Sequence, residues 1–320
     1  MDAETYENLR AEIDDLKSGW GLGVLILLWV LAVTAAGIGL SLSVSWSVWL
    51  PGQIVLAIAM LQWFCVLHEC GHETFFPGKT ANTLAGHLAS VFCGLPYFAW
   101  KWIHYRHHVW TGWKDIDPTT EQVIPRELKA YEKFVLNVCW KTGFPLFSVL
   151  YRLDNYWNIF RLRRLFDDRR RRRTIVWNFV FYFGGAAAAV VLLGPWECLR
   201  VGGLAFFIHL CLCDPILLSQ HTHIPQQLAA GEKVKPFEPR NQEVFTRSLE
   251  FPRWFSRLVL FNFDAHELHH IYPQTPGYRL HQIDYRAENS IHWWTWLRKA
   301  KAIPASVFLF SNRDRTGFSL

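Results

Sequence analysis

Three short clusters of histidine are the residues of this chain best suited to do chemistry. They comprise the pair His68 and His72, the triplet His104, His107 and His108, and the triplet His266, His269 and His270. With 14 His in 320 residues, the pattern HxxHH should occur about 0.03 times by chance, yet it occurs twice. Imidazole ligates Fe, Zn and Cu, and stays neutral near pH 7 as a ligand. The clusters therefore predict metal binding.

The number of histidines predicts two metal ions. A catalytic metal takes about three or four protein ligands, so eight imidazoles are too many for one ion. A further element, Gln220-His221-Thr222-His223, follows an apolar segment. We expect His221 to be a ninth ligand and keep His223 as an alternative candidate. Isolated His87, His209, His281 and His292 are expected to be structural.

Several carboxylates stand beside the clusters. A ligating imidazole usually donates its second N–H to a carboxylate or carbonyl. The candidates for this role, or for direct metal ligation, are Glu69, Asp117, Asp264 and Glu267. Ordinary surface charge is the competing interpretation for each of them.

Long apolar segments must position these clusters. About 20 apolar residues in a helix cross a bilayer, and segments 19–44, 48–67, 174–193 and 196–218 satisfy this length. The stretches 84–100 and 134–150 are shorter or interrupted, and we expect them to be interfacial or re-entrant. A full crossing by 84–100 would put the second histidine cluster on the opposite side from the first.

The distribution of positive charge predicts the topology. Residues 41–53 contain no Lys or Arg, and the only basic residue near the connection after the third segment is Arg200, close to the start of the fourth. The positive-inside rule therefore places both termini and the metal site in the cytoplasm. The net charge of +6 and the run Arg169–Arg173 fit a surface that faces anionic lipid, and no nucleic-acid partner is expected.

The expected fold class is an all-α integral membrane protein. Four transmembrane helices form two hairpins, accompanied by interfacial helices and a cytosolic, His-rich helical cap. We expect a single domain over 1–320, with the metal site drawn from 68–117 and 220–281. The seven Cys include no CxxC pair, so free, buried thiols are expected.

Tryptophans surround the second histidine cluster, and the chain has 17 of them. Two roles are open for these side chains: lining a channel for an apolar substrate, or forming an aromatic belt at the membrane surface. The channel candidates are Trp100, Trp102, Trp110 and Trp113.

Two other classes of protein compete with an enzyme that binds two metal ions. His68–His72 and His266–His270 both read as HExxH, the motif of zinc metalloproteases in which Glu is the general base. An intramembrane zinc protease would leave most of the other histidines without a role. A metal transporter would need polar groups across the bilayer midplane, which these segments largely lack.

The order and spacing of the clusters resemble the membrane fatty-acid desaturase superfamily. That family carries HxxxH or HxxxxH, then HxxHH, then a second HxxHH. The resemblance extends beyond the histidines and covers about residues 19–281. The similar stretches are HECGHETFF, HYRHHVWTGWKDIDP, QHTHIP and NFDAHELHHIYP.

The resemblance implies a non-haem di-iron centre that uses O₂ as co-substrate. Two electrons would come from an external donor of the ferredoxin, rubredoxin or cytochrome b5 type. The implied substrate is a lipid or another long apolar chain, and a fatty acyl desaturase is the expected activity. A hydroxylase, a ketolase and a fatty acid decarboxylase that forms terminal alkenes share the same ligand pattern and stay open.

Overall fold

The computed structural model describes residue 1, residues 3–285 and residues 287–320 of the chain. The α-helices in these residues are, in chain order, α1 (Ala3–Ile13), α2 (Trp20–Ser41), α3 (Trp46–His72), α4 (Lys79–Cys93), α5 (Tyr97–Trp110), α6 (Ala130–Thr142), α7 (Leu146–Tyr151), α8 (Ile159–Leu165), α9 (Arg169–Leu193), α10 (Pro195–Cys198), α11 (Leu204–His221), α12 (Arg253–Phe255), α13 (His266–Ile271), α14 (Trp293–Ala302), α15 (Ala305–Phe310) and α16 (Arg313–Thr316).

Shorter helical turns and a two-residue strand pair complete the secondary structure of the described part. The 3₁₀ turns are Glu121–Val123, Pro239–Asn241, Glu243–Phe245 and Gly277–Gln282, and the π-helical turns are Arg152–Tyr156, Leu199–Gly203 and Ser256–Leu260. Strand β1 (Leu249–Glu250) pairs in parallel with β2 (Ile291–His292), with Leu249 opposite Ile291. The expected all-α class is confirmed.

The chain divides into two compact units. The membrane unit comprises Ser18–Ile103 and Val149–Leu212. The histidine-rich unit comprises Met1–Lys17, His104–Ser148 and Cys213–Leu320. The prediction of one domain over 1–320 stays a prediction.

Within the described residues, four helical stretches are long and apolar enough to cross a membrane, as predicted. They are α2, α3, α9 and the continuous stretch Pro195–His221, which joins α10, the turn Leu199–Gly203 and α11. Large apolar side chains project outward along them, including Leu25 (62% exposed), Phe181 (72%) and Val191 (82%). Lipid chains solvate such surfaces without the free-energy cost that water imposes, so this exposure supports a bilayer setting.

Glycines allow α2 and α3 to pack closely. A Cβ on Gly37 would lie 2.8 Å from the Leu56 nitrogen, and a Cβ on Gly52 would lie 2.6 Å from the Ser41 nitrogen. Small residues let helix backbones approach in membranes, where packing and hydrogen bonds replace the hydrophobic effect. Gly37 and Gly52 thus set the spacing of the first hairpin.

Gln53 satisfies the backbone of the π-helical turn Leu199–Gly203. Its Nε2 donates to the Val201 carbonyl at 2.9 Å, and its Oε1 accepts from the Ala205 N–H at 2.9 Å. Trp49 donates to the Arg200 carbonyl at 2.9 Å. Unpaired backbone groups are costly in hydrocarbon, so these contacts explain why a polar Gln stands fully buried in α3.

The two doubtful apolar stretches do not form single straight spans. The stretch 84–100 falls in α4, which has 15 residues and is followed by Gly94 with φ +73°, and then in α5. In the stretch 134–150, Gly143 follows the end of α6, and the next helix, Leu146–Tyr156, is bent by 116° from α6. That angle fits either a broken span or a re-entrant loop, and the expectation of an interfacial or re-entrant stretch stays a prediction.

Apolar clusters among the described residues stabilise the histidine-rich unit. In the first, Trp140 of α6 stacks on Phe308 of α15 with ring centroids 5.1 Å apart, and Trp296 packs beside them. In the second, Leu9 and Ile13 of α1 pack with α13 and with Leu280 and Ile283. The N-terminal helix therefore stabilises the helix that carries the third histidine cluster.

Candidate metal centre

Four buried or half-buried imidazoles of the histidine-rich unit form a tetrad: His107, His221, His266 and His270. One nitrogen of each lies within 4.8 Å of the corresponding nitrogen of every other. The Nε2 atom of His221 lies 3.1 Å from that of His107 and 2.8 Å from that of His266. The Nε2 atom of His270 lies 3.1 Å from that of His266. The tetrad joins α5, α11 and α13.

A second group in the same unit, the triad, contains His104, His108 and His269. The Nε2 atom of His108 lies 3.1 Å from that of His104 and 3.0 Å from that of His269. The triad and the tetrad together contain seven of the nine predicted ligands.

The other nitrogen of three tetrad members faces an oxygen. His107 Nδ1 lies 2.6 Å from Asp117 Oδ2, and His221 Nδ1 lies 3.1 Å from the Phe245 carbonyl. His270 Nδ1 lies 3.0 Å from Gln242 Oε1. A carbonyl or an ionised carboxylate only accepts hydrogen bonds, so each of these Nδ1 atoms carries a proton.

In this arrangement the Nε2 atoms of His107, His221 and His270 are unprotonated. Their lone pairs point toward other imidazoles of the tetrad. Neutral imidazole has one N–H, so His107 and His221, both protonated at Nδ1, cannot hydrogen-bond through their Nε2 atoms. Burial and the neighbouring His266 hold the pKa of His270 well below its ordinary value, so proton charge does not relieve the repulsion there. A bound cation relieves this repulsion between lone pairs. Two ligand atoms that each lie about 2.1 Å from a metal ion, in directions at right angles to each other, are about 3.0 Å apart. The tetrad therefore fits a metal ion.

A turn with unusual backbone angles places the third histidine cluster. Phe261 and Asn262 adopt positive φ values of 51° and 60°, which few residues other than Gly adopt. Asn262 Nδ2 donates to the Gly277 carbonyl at 3.0 Å. The turn ends the π-helical segment Ser256–Leu260. The helix α13 then begins at His266, and its three histidines are buried.

The first histidine pair closes α3 in the membrane unit. The rings of His68 and His72 have centroids 4.8 Å apart, one helical turn from each other. Glu69 Oε1 lies 3.1 Å from His68 Nδ1, and Glu69 Oε2 accepts from the Thr74 hydroxyl at 2.9 Å. The acidic neighbour of the first pair therefore contacts an imidazole, and its role at a metal site stays a prediction.

Other predicted residues lie apart from the triad and the tetrad. His223 has φ 65°, and its Nε2 lies 2.8 Å from the Thr316 hydroxyl. His209 lies in the membrane unit, 3.1 Å from an Arg152 nitrogen. His87 packs against Tyr97 and Phe98. None of these joins the histidine groups within the described residues.

The four acidic candidates behave differently. Asp117 and Glu69 contact imidazoles, whereas Asp264 accepts from Ser256 at 2.7 Å and Glu267 accepts from the Asn289 N–H at 3.0 Å. Burial raises the pKa of Asp264 to about 6 and that of Glu267 to about 7. The last two carboxylates are therefore placed to support α13 and its preceding turn.

The four candidate tryptophans have separate environments. Trp100 is buried beside His68, with ring centroids 5.7 Å apart, and a Cβ on Gly71 would lie 2.3 Å from its ring. Trp102 packs on Phe98 and Phe166. Trp113 stacks on Phe237, and Trp110 is half-buried at the end of α5. The channel role stays a prediction for all four.

Gln242 and the Phe245 carbonyl both contact tetrad imidazoles, and neither is predicted by the sequence pattern. They lie in a stretch of the chain between His223 and His266 that has no histidine. A backbone carbonyl has no sequence signature, and a lone Gln in a loop has no spacing that marks it. Only the folded turn brings them to the site.

Apolar helices of membrane-spanning length and buried imidazole clusters are the features of a membrane protein with a histidine-rich candidate metal centre. The chain belongs to the fatty acid desaturase family, whose model, described as "Fatty acid desaturase", matches residues 44–296. The relatives below are named desaturases, which are oxidoreductases, and the protein is therefore an oxidoreductase of this family.

Relatives similar to this chain come from plants and cyanobacteria. The "sn-1 oleoyl-lipid 12-desaturase" of Picosynechococcus sp. is 24% identical over 91% of this chain and 81% of its own length. The "Probable fatty acid desaturase DES1" of Sorghum bicolor is 22% identical over 82% of this chain and 69% of its own. The "sn-1 acyl-lipid omega-3 desaturase (ferredoxin)" of Synechocystis sp. is 34% identical over 26% of this chain and 24% of its own.

Proposed function

We propose that the protein is an O₂-dependent fatty acyl desaturase with two histidine-ligated iron ions. The observation that carries this proposal is the tetrad, in which buried Nε2 lone pairs converge while the Nδ1 protons of three members are bound elsewhere. Family membership supports iron over other metals that imidazole ligates.

The proposed ligands divide into two sets. One iron takes the tetrad His107, His221, His266 and His270. The other takes the triad His104, His108 and His269. His68 and His72 are proposed as further iron ligands. The last two are assigned on the family's order of histidine clusters and on their helical spacing of four residues, which presents both rings on one face.

Bound iron would supply O₂ activation and removal of hydrogen from an unactivated C–H bond. The chain's own residues bind, orient and protect. Asp117, Gln242 and the Phe245 carbonyl hold protons at Nδ1 and so keep each Nε2 available as a ligand. The burial of His107, His266, His269 and His270 excludes bulk water, which would otherwise consume a reactive oxidant.

The proposed substrate is a long acyl chain that reaches the enzyme from the bilayer. The outward apolar surface of α2 and α9 supports a membrane setting, and two of the relatives are named for oleoyl-lipid and acyl-lipid substrates. Trp100, buried beside His68, is the best-placed of the four tryptophans to contact such a chain.

The proposed topology and electron donor follow from charge. Both termini and the histidine-rich unit are assigned to the cytoplasm by the positive-inside rule. Two electrons come from a separate protein, and one relative carries "ferredoxin" in its name. Basic residues on the cytoplasmic side would attract an acidic carrier, and such attraction weakens with salt.

Metal analysis combined with product analysis tests this proposal. Purified protein should contain about two Fe per chain, since nine imidazoles exceed the three or four protein ligands one catalytic ion takes. Cells that express the chain with a ferredoxin should gain an unsaturated acyl chain. A hydroxyl, keto or terminal-alkene product would show that the same centre catalyses hydroxylation, ketone formation or decarboxylation and not desaturation.

A zinc content of one ion per chain would contradict the oxidase altogether. It would favour the metalloprotease reading of His68–His72, in which Glu69 is the general base. Glu69→Gln would then abolish activity completely. In the desaturase, the same change should weaken activity only partly, because the Gln side-chain oxygen can still accept from His68.

A further inference from the structure

We infer that Gln242 is a positioning residue that sets the tautomer of His270 and anchors the end of α5 at the same point. The inference rests on the metal centre proposed above and deepens it. Gln242 is 2% exposed, and its amide contacts one residue of the tetrad and one of the triad.

Hydrogen-bond directions fix the orientation of the Gln242 amide. Its Nε2 donates to the His108 carbonyl at 2.8 Å and approaches the Phe237 carbonyl at 3.4 Å. Both partners are backbone carbonyls, which only accept, so the NH₂ group must face them. The Oε1 atom must then face His270, and His270 must donate from Nδ1 across the 3.0 Å contact.

The backbone around Gln242 is held as firmly as its side chain. Its N–H donates to the Pro239 carbonyl at 3.0 Å, and its own carbonyl accepts from the Phe245 N–H at 3.0 Å and from the Thr246 hydroxyl at 3.2 Å. The same short segment presents the Phe245 carbonyl to His221 Nδ1. One turn therefore controls the protonated nitrogen of two tetrad members.

The tautomer decides whether His270 can ligate. With the proton on Nδ1, the Nε2 lone pair faces His266 Nε2 at 3.1 Å, where the tetrad ligands converge. With the proton on Nε2, the ring would donate a hydrogen bond to His266 instead and would be lost as a ligand through that atom. An acceptor at Gln242 excludes the second form.

Two substitutions separate the acceptor from the anchor. Gln242→Leu removes both the acceptor for His270 and the donor to the His108 carbonyl. Gln242→Glu keeps a carboxylate oxygen that can accept from His270 Nδ1, but it removes the NH₂ donor. Gln282→Leu changes an exposed glutamine of the same unit and serves as the matched control.

Cobalt titration of the metal-free chain in detergent micelles measures the effect without turnover. Visible absorption of Co²⁺ reports its ligands, and thermal unfolding of the metal-free chain reports stability. We expect Gln242→Leu to weaken Co²⁺ affinity about 10- to 100-fold, as loss of such a partner typically does, and to change the absorption band. Gln242→Glu should recover most of the affinity while losing as much thermal stability as Gln242→Leu.

The other possible outcomes contradict either the inference about Gln242 or the proposed metal centre. If Co²⁺ affinity follows the unfolding temperature across both Gln242 variants, Gln242 is structural and the inference fails. Affinity in Gln242→Leu equal to that of the unmodified chain or of Gln282→Leu also ends it. Failure of the unmodified chain to bind Co²⁺ would instead overturn the proposed metal centre itself.

Discussion

The two HxxHH clusters divide between the triad and the tetrad in opposite ways. His104 and His108 enter the triad while His107 enters the tetrad, and His266 and His270 enter the tetrad while His269 enters the triad. Successive helical residues point about 100° apart, so adjacent histidines such as His107 and His108 cannot share one small group. Both α5 and α13 therefore contribute imidazoles to the triad and to the tetrad. This explains why the motif contains three imidazoles.

Removing a single imidazole should affect the metal content in a position-dependent way. We expect His270→Ala and His107→Ala to abolish desaturation and to lower bound iron, because each loses a tetrad ligand. His221→Ala should act in the same way. The measurements are iron per chain by mass spectrometry and product formation with an excess of reduced ferredoxin.

His223→Ala is the matched control for His221→Ala. It changes a histidine two residues away whose Nε2 contacts Thr316 rather than another imidazole. We expect it to retain bound iron and to lose some stability only. Iron loss in His223→Ala equal to that in His221→Ala would remove the distinction between them.

The carboxylate of Asp117 should control how tightly the tetrad holds metal. It lies 2.6 Å from His107 Nδ1, and it also accepts from the Thr119 hydroxyl at 2.9 Å. We expect Asp117→Ala to weaken metal affinity about 10- to 100-fold because the basicity and orientation of His107 depend on this partner. Competition with a chelator measures the change.

Asp115 provides a nearby carboxylate with a different role. It accepts from the Ala229 and Ala230 backbone N–H groups at 2.9 and 2.8 Å and therefore stabilises a loop. Asp115→Ala should lower the unfolding temperature without a comparable loss of metal affinity. The assignment of Asp117 fails if the two variants release metal equally fast.

At the level of elements, the length of each apolar segment correctly predicted a helix long enough to span the membrane. It predicted the residues at which the helix begins and ends less accurately. The expected segments 48–67 and 174–193 became α3 (Trp46–His72) and α9 (Arg169–Leu193). Helix propagation does not stop where hydropathy falls. The five arginines of α9 are good helix formers, and Asp168 caps them by accepting from the Arg170 and Arg171 N–H groups at 3.0 Å.

Elements that depend on long-range contacts could not be read from local pattern. The helix α13 has six residues and follows a turn with two positive φ angles, and neither feature has a strong local signal. The partition of each HxxHH cluster also needed the relative placement of α5, α11 and α13. Residue type and spacing identified the candidate imidazoles but not which group each one joins.

The close packing of α2 on α3 makes a testable contrast between two glycines of one helix. A Cβ on Gly37 would meet backbone and side-chain atoms of Leu56 at 2.8 to 2.9 Å, whereas a Cβ on Gly39 meets nothing within 4 Å. We expect Gly37→Ala to destabilise the protein by about 1–3 kcal/mol, the usual cost of overpacking. Gly39→Ala should be neutral or stabilising, since Ala favours helix.

Thermal unfolding in detergent, followed by circular dichroism, compares the two variants. Equal stability of Gly37→Ala and Gly39→Ala would show that the helices separate enough to admit a methyl group. The close approach of α2 and α3 would then not be a constraint on the fold.

At the level of the whole molecule, the membrane setting and the metal chemistry make different demands on the sequence. Lipid requires apolar side chains on the outside of long helices, and Leu25 and Val191 meet that requirement. Metal binding requires buried polar groups whose second hydrogen bonds are satisfied, as for His107 and His270. Composition reveals the apolar surface of the helices directly. The hydrogen-bond partners of the buried imidazoles become visible only when the turn around Gln242 is folded.

The proposed topology predicts that two exposed positions lie on opposite sides of the membrane. Val44, in the connection between α2 and α3, is 98% exposed, and Glu232 is exposed in the loop after His223. We would place single cysteines there as Val44→Cys and Glu232→Cys, in a chain whose incompletely buried Cys139, Cys198 and Cys211 are replaced by alanine. A membrane-impermeant maleimide should label Val44→Cys in sealed right-side-out vesicles and Glu232→Cys only in inverted vesicles, because residues 41–53 lack the positive charge that holds a loop in the cytoplasm. Labelling of both cysteines from one side would contradict the four-span topology, and exchanged sides would reverse its orientation.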